Sequence, residues 1–207
     1  MSLILSLQGC MAVGKTSAAR YLEAHVPGLR VFYEDNARVL EEVRRRGLDK
    51  TVYEDYLEIQ RLWIARELRR WEDAQAVPVT LMDLGAEEIE FYTLHYPRSI
   101  GKNWEVEAPL AKELQSLRRC LPRRILFLDA GDEVLRRRKA SDESRSREFF
   151  EHTLTTLLPL KRQWFLGREN VDILRTDTLD QEQAGRQAAA WVQVQMEQSH
   201  KSRLGLV

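Results

Sequence analysis

The sequence predicts an α/β fold of three layers, a five-stranded parallel sheet with helices on both faces. Two observations carry this. Short apolar runs alternate along the chain with longer stretches of helical periodicity. The first run also passes through a glycine-framed loop straight into a helix, in "LSLQGCMAVGKTSAARYLEAH" at residues 5–25.

Leu3 to Leu7 reads as a short buried strand, and Lys15 to Ala24 as a helix closed by Pro27 and Gly28. Leu29 to Tyr33 is a second strand. Asn36 to Arg46 is helical and stops at Gly47. Tyr53 to Ala76 is a long helix with Leu57, Ile64, Leu68 and Trp71 on one face, leaving Arg61, Arg69, Arg70 and Glu72 to water. Strands follow in "VPVTLMDL" (77–84), "RRILFLDA" (123–130) and from Val171, with a helical region over about Glu105 to Cys120 between the first two. A last helix covers about Leu179 to Glu197, with a frayed tail over 199–207.

The 207 residues suit a single domain, 1–207, large enough to bury a full core. Lys plus Arg and Asp plus Glu number 32 each, so no general attraction to a nucleic-acid polymer or a membrane surface is expected. Two distant cysteines, Cys10 and Cys120, make no disulfide framework. The apolar start is too short for a signal peptide, and no apolar stretch is long enough to span a bilayer. A cytoplasmic protein is expected. His25, His95, His152 and His200 lack metal-ligand spacing.

Parallel sheets bind ligands at the carboxyl ends of their strands. Gly9, Gly14, Lys15 and Thr16 stand at the first such end as G-x-x-x-x-G-K-T. A loop with glycine at both ends can turn successive backbone N–H groups inward, and the following helix adds its positive end. Ala12, Val13 and Ser17 complete the cradle. Lys15 supplies charge to the terminal phosphates of ATP, and Thr16 a hydroxyl to Mg2+. A coincidental glycine turn is the bland alternative, and the strand-to-helix context argues against it. Cys10 most simply fills a small loop position.

A GTPase would need D-x-x-G and N-K-x-D elements, which "DLGA" and "DAGD" do not supply, and an AAA-type motor needs more chain. The whole chain instead resembles the P-loop nucleoside and nucleotide kinases, above all the deoxynucleoside and thymidylate kinases. The phosphate loop carries that resemblance most specifically. "VFYEDNARVL" (31–40) is similar to the segment holding a catalytic glutamate, which implies Glu34 as base. "VTLMDL" (79–84) is similar to the strand ending in an acid and an arginine. Asp83 matches the acid, and Leu84 stands in the place of the arginine. "LFLDAGDEVLRRRKASDESRSR" (126–147) resembles the strand, turn and arginine-rich lid, here about 137–148. The resemblance places Arg138 on the adenine, and Thr176 and Asp177 of "LRTDTLD" beside it.

Chemistry assigns the remaining roles. Basic residues crowd into 136–147, and Arg145 and Arg147 could reach the phosphates when a lid closes. Alone, such a run reads as a solvated helix face. Glu34, Asp35 or Asp83 could take the acceptor's proton, and Asp83 could instead join Thr16 at Mg2+. Capping before Asn36 is the competing use of Glu34 and Asp35. Glu87 and Glu88 read as an exposed helix start. Gln60 resembles the glutamine with which deoxynucleoside kinases read a base, and Trp63, Tyr92 and Trp104 could line an acceptor pocket, although such residues more often serve surface or core. "HYPRSIGKNW" (95–104) reads as a polar loop that could close over the acceptor.

The expectation is an ATP- and Mg2+-dependent kinase of a small-molecule acceptor, a nucleoside or nucleotide first. Kinases of other metabolites or antibiotics, and a regulatory module that only holds ATP, are the alternatives. The long amphipathic helix could serve a homodimer.

Overall fold

The computed structural model describes residues 2–140 and 147–203. Its sheet has five parallel strands in the order β2-β3-β1-β4-β5, as the alternating pattern required. β1 (Leu3–Gly9) is central and buried at every position, which is why its sequence reads as a run and not an alternation. β3 (Val79–Asp83) and β4 (Arg124–Asp129) flank it, with Leu7 opposite Asp83 and Gly9 opposite Leu128. β2 (Arg30–Phe32) and β5 (Val171–Arg175) form the edges. The chain leaves β1 toward the β2–β3 side and later crosses to β4, so the sheet has its switch point at the carboxyl end of β1.

Helices cover both faces. α1 (Lys15–His25) packs against α9 (Gln181–Arg203) so closely that a Cβ on Gly185 would sit 2.3 Å from Tyr21 Cγ. α2 (Ala37–Arg46) ends at Gly47, which takes the left-handed φ of 65°. α3 (Tyr53–Gln75) packs on α4 (Ala86–Ser99) and α5 (Ala111–Arg118). That packing buries Leu57 and Ile64 and leaves Leu68 and Trp71 partly exposed. α6 (Asp132–Ala140) follows β4. α7 (Arg147–His152), a π-helical turn at Thr153–Leu157 and α8 (Leu158–Leu166) lead to β5. The core runs from Leu5 and Leu81 through Phe91, Phe127 and Phe165 to Val192. Among the described residues, no helix is long and apolar enough to cross a membrane.

Five sequence expectations change. Residues 95–99 are not loop: α4 runs to Ser99 with Pro97 inside it. Pro97 has no N–H for the Thr93 carbonyl, and the Tyr56 hydroxyl supplies that bond at 3.0 Å from α3. Glu87 and Glu88 begin a helix but are buried, not exposed. Arg70 is buried rather than wet, its guanidinium donating to the carbonyls of Asp83 at 3.1 Å and Leu84 at 2.6 Å. The helical region after Glu105 begins only at Ala111, past Pro109. α9, for its part, continues to Arg203, through residues read as tail.

Candidate active site

Beyond β1 the chain turns through three left-handed residues, Gly9 (φ 136°), Ala12 (φ 62°) and Gly14 (φ 104°). These turns aim successive amides into one concavity. Gly9 is required twice over: its φ suits glycine, and a Cβ there would lie 2.3 Å from the Leu128 carbonyl oxygen. α1 then starts with no side-chain cap and no acid in its first turn, so its leading N–H groups remain available to an anion.

Lys15 Nζ lies across the loop, donating to the carbonyls of Gly9 at 3.0 Å and Cys10 at 2.9 Å. Burial holds its pKa below the usual lysine value, and the Lys161 charge adds to this, while Asp83 and Glu88 oppose it. Thr16 Oγ1 donates to Asp83 Oδ2 at 3.3 Å. Asp83 closes β3, is buried, and has its pKa raised by that burial against the pull of Lys15. Hydroxyl and carboxylate are hard oxygen donors that fit a magnesium ion sharing its remaining positions with water and phosphate. Burial pushes the Cys10 thiol upward, away from reactivity, which suits a filling role.

These groups open onto a cavity of about 1410 Å³. It exceeds the roughly 300–1,000 Å³ of an ordinary small-molecule site. On the β4–β5 side its wall includes Arg138, Thr176, Leu179 and Ala184. Arg138 donates to Thr176 Oγ1 at 3.0 Å and to the carbonyls of Val13 at 3.3 Å and Leu179 at 3.1 Å. It therefore braces the phosphate loop against the turn after β5. Asp177 does not line the cavity; its carboxylate accepts from Gly131 N at 2.6 Å and clips two turns together. On the β2–β3 side the wall holds Glu34, Tyr56, Ile59, Gln60, Trp63, Leu84, Tyr92 and Tyr96.

Glu34 reaches the cavity and Asp35 does not. Asp35 Oδ1 instead accepts from Ala37 N at 3.1 Å, the capping use weighed for this pair. Ala12, Val13 and Ser17 line the cavity as expected. Gln60 is buried there, its Oε1 accepting from Thr93 Oγ1 at 2.9 Å. Trp104 leans on Tyr53 and Tyr56 and is absent from the wall. His95 packs its ring against Phe91 and Trp164. Arg136, on α6, pairs with Glu151 in solvent, as a solvated helix face would. Arg145 lies outside the described residues, as does much of the proposed lid at 137–148.

Two wall residues had no sequence motif to announce them. Glu88 and Lys161 form a buried ion pair, Lys161 Nζ lying 2.7 and 2.6 Å from the two carboxylate oxygens. Burial raises the Glu88 pKa despite this partner. Helical spacing from the start read at Glu87 and Glu88, followed one turn further, would have put Glu88 on the face of Phe91 and Tyr92.

The AAA domain family matches residues 5–201. The chain belongs to that family. The match defines this AAA-domain protein by its domain and says nothing of a motor, which chain length argued against. Its fold is also that of the P-loop nucleoside kinases. A deoxyadenosine kinase from M. mycoides, solved with the products dCMP and a flexible dCDP, aligns with a TM-score of 0.63 and 10% identity, covering 95% of this chain and 100% of that one. At that identity the likeness is one of fold. No curated protein matches the sequence.

Proposed function

We propose that this AAA-domain protein is an ATP- and Mg2+-dependent kinase that phosphorylates a small hydroxyl compound, a nucleoside being the first acceptor class to test. One observation supports this above others. A single cavity joins the phosphate loop to an aromatic and aliphatic chamber, and carboxylates stand at the junction. A module that merely held ATP would need neither the chamber nor the acids.

In this reading the loop amides and Lys15 hold the β- and γ-phosphates. Thr16 and Asp83 would hold Mg2+, which when bound neutralises phosphate charge. Asp83 is engaged by Thr16 and Asp35 stands at a helix start, and Glu34, which lines the cavity, is assigned to act on the acceptor. The acceptor oxygen bonds to the γ-phosphorus, its proton passes to the Glu34 carboxylate, and ADP departs with the electrons of the broken P–O bond. Arg138 and Thr176 flank the adenine.

A kinase of another ring-bearing metabolite or of an antibiotic is the second reading, favoured by Leu84 where the resembling families carry arginine and by the apolar chamber wall. ADP release measured against a panel of nucleosides, nucleotides, aromatic alcohols and antibiotics tests both. Acceptor-stimulated release is expected, and Lys15→Ala should cut it at least about hundredfold while the protein still folds. Tight ATP binding with no stimulated release from any acceptor would point to the regulatory module instead.

A further inference from the structure

The chamber raises a question of charge. Phosphoryl transfer develops negative charge that cations must face on more than one side. Leu84 cannot provide one. Arg70, the nearest guanidinium to that strand end, is already bonded to the carbonyls of Asp83 and Leu84 and paired with Glu67 at 3.2 Å. Arg138 is bonded to the phosphate loop and the turn after β5.

Lys161 differs from these. It comes from α8, on the far side of the π-helical turn, and shares the cavity wall with Lys15 and Glu88. Its ammonium is buried beside the rings of Phe91 and Tyr92, 5.5 and 5.6 Å from their centroids. An ammonium has three N–H groups, and one carboxylate facing it leaves donor capacity toward the cavity. A buried ion pair gains little stability over an apolar pair of the same volume, so stability alone is a weak reason for it.

Resting on the kinase reading above, we propose that Lys161 is a second catalytic cation, contacting the terminal phosphoryl group of ATP from the side opposite the loop, with Glu88 as the positioning residue that holds it there. It takes from α8 the role that an arginine after Asp83 would have taken from β3. The same placement accounts for its field at the loop, where it depresses Lys15 and lowers Cys10.

Calorimetric titration with Mg-ADP and Mg-AMP-PNP tests this without a known acceptor, because the two nucleotides differ in the terminal group alone. Lys161→Gln is expected to lose at least about tenfold in AMP-PNP affinity while ADP affinity stays within about twofold, and Lys161→Arg to restore it. An unchanged ratio, or an equal loss for both nucleotides, overturns the proposal. The double variant Lys161→Gln/Glu88→Gln serves if Lys161→Gln does not fold. It leaves no buried carboxylate without its cation, so the same loss confined to AMP-PNP is expected, and an unchanged ratio of the two affinities overturns the proposal. Wild-type protein that binds neither nucleotide would defeat the kinase reading itself.

Discussion

Asp83 and Glu34 occupy one cavity, yet their surroundings divide the work. Asp83 is buried beside Thr16, and its folded pKa lies above the ordinary 3.8 because burial disfavours the charge. A raised carboxylate pKa favours the fold below the unfolded value, and that contribution is lost as pH rises through the folded value. Burial therefore makes ionisation of Asp83 a burden on stability. Asp83→Asn should melt no lower than wild type at pH 7, with any advantage vanishing toward pH 3.8, while Mg2+-dependent turnover is lost. Glu34→Gln should lower kcat by about 10²–10⁴ and leave ATP affinity intact. Should Asp83→Asn spare magnesium dependence and Glu34→Gln spare kcat, the two roles are exchanged. Glu34, Asp83, Lys15 and Thr16 were legible because each follows a strand end. Lys161 and Glu88 were not, since no short spacing ties residues so far apart to one point.

At the level of elements, strands were easier to read than helices. β1, β3 and β4 are buried on both faces, so their apolar runs stand out. The start of α4 was marked by its acids, but its continuation to Ser99 was hidden by Pro97 near its end. Its backbone is completed from α3, where the Tyr56 hydroxyl reaches the carbonyls of Tyr92 at 2.9 Å and Thr93 at 3.0 Å. Tyr56→Phe should therefore destabilise the protein by about 1–3 kcal/mol in urea unfolding, the cost of a buried carbonyl left without a partner. A loss below about 0.5 kcal/mol would mean that Thr93 finds its hydrogen bond elsewhere.

For the whole molecule, the switch point of the sheet places Lys15, Thr16, Glu34, Asp83 and Arg138 around one cavity, between the β2–β3 and β4–β5 sides. Ligand binding there should stabilise the entire fold. AMP-PNP with Mg2+ at a hundred times its Kd should add about 2.7 kcal/mol to the unfolding free energy, and Lys15→Ala should abolish most of that gain. A melting curve unmoved by nucleotide at that concentration would mean that the folded protein does not bind it, and the kinase reading would fail. The sequence by itself determined the strand count, the phosphate loop and the acids at strand ends, because burial pattern, glycine geometry and strand-to-helix punctuation are local properties of the chain. Only the tertiary structure decided that Asp35 caps a helix while Glu34 faces the cavity, that Arg138 braces the loop, and that a lysine of α8 meets a glutamate of α4 beside it. Those outcomes depend on where separate elements come to rest against one another, which crossover connections and packing fix and short-range periodicity does not.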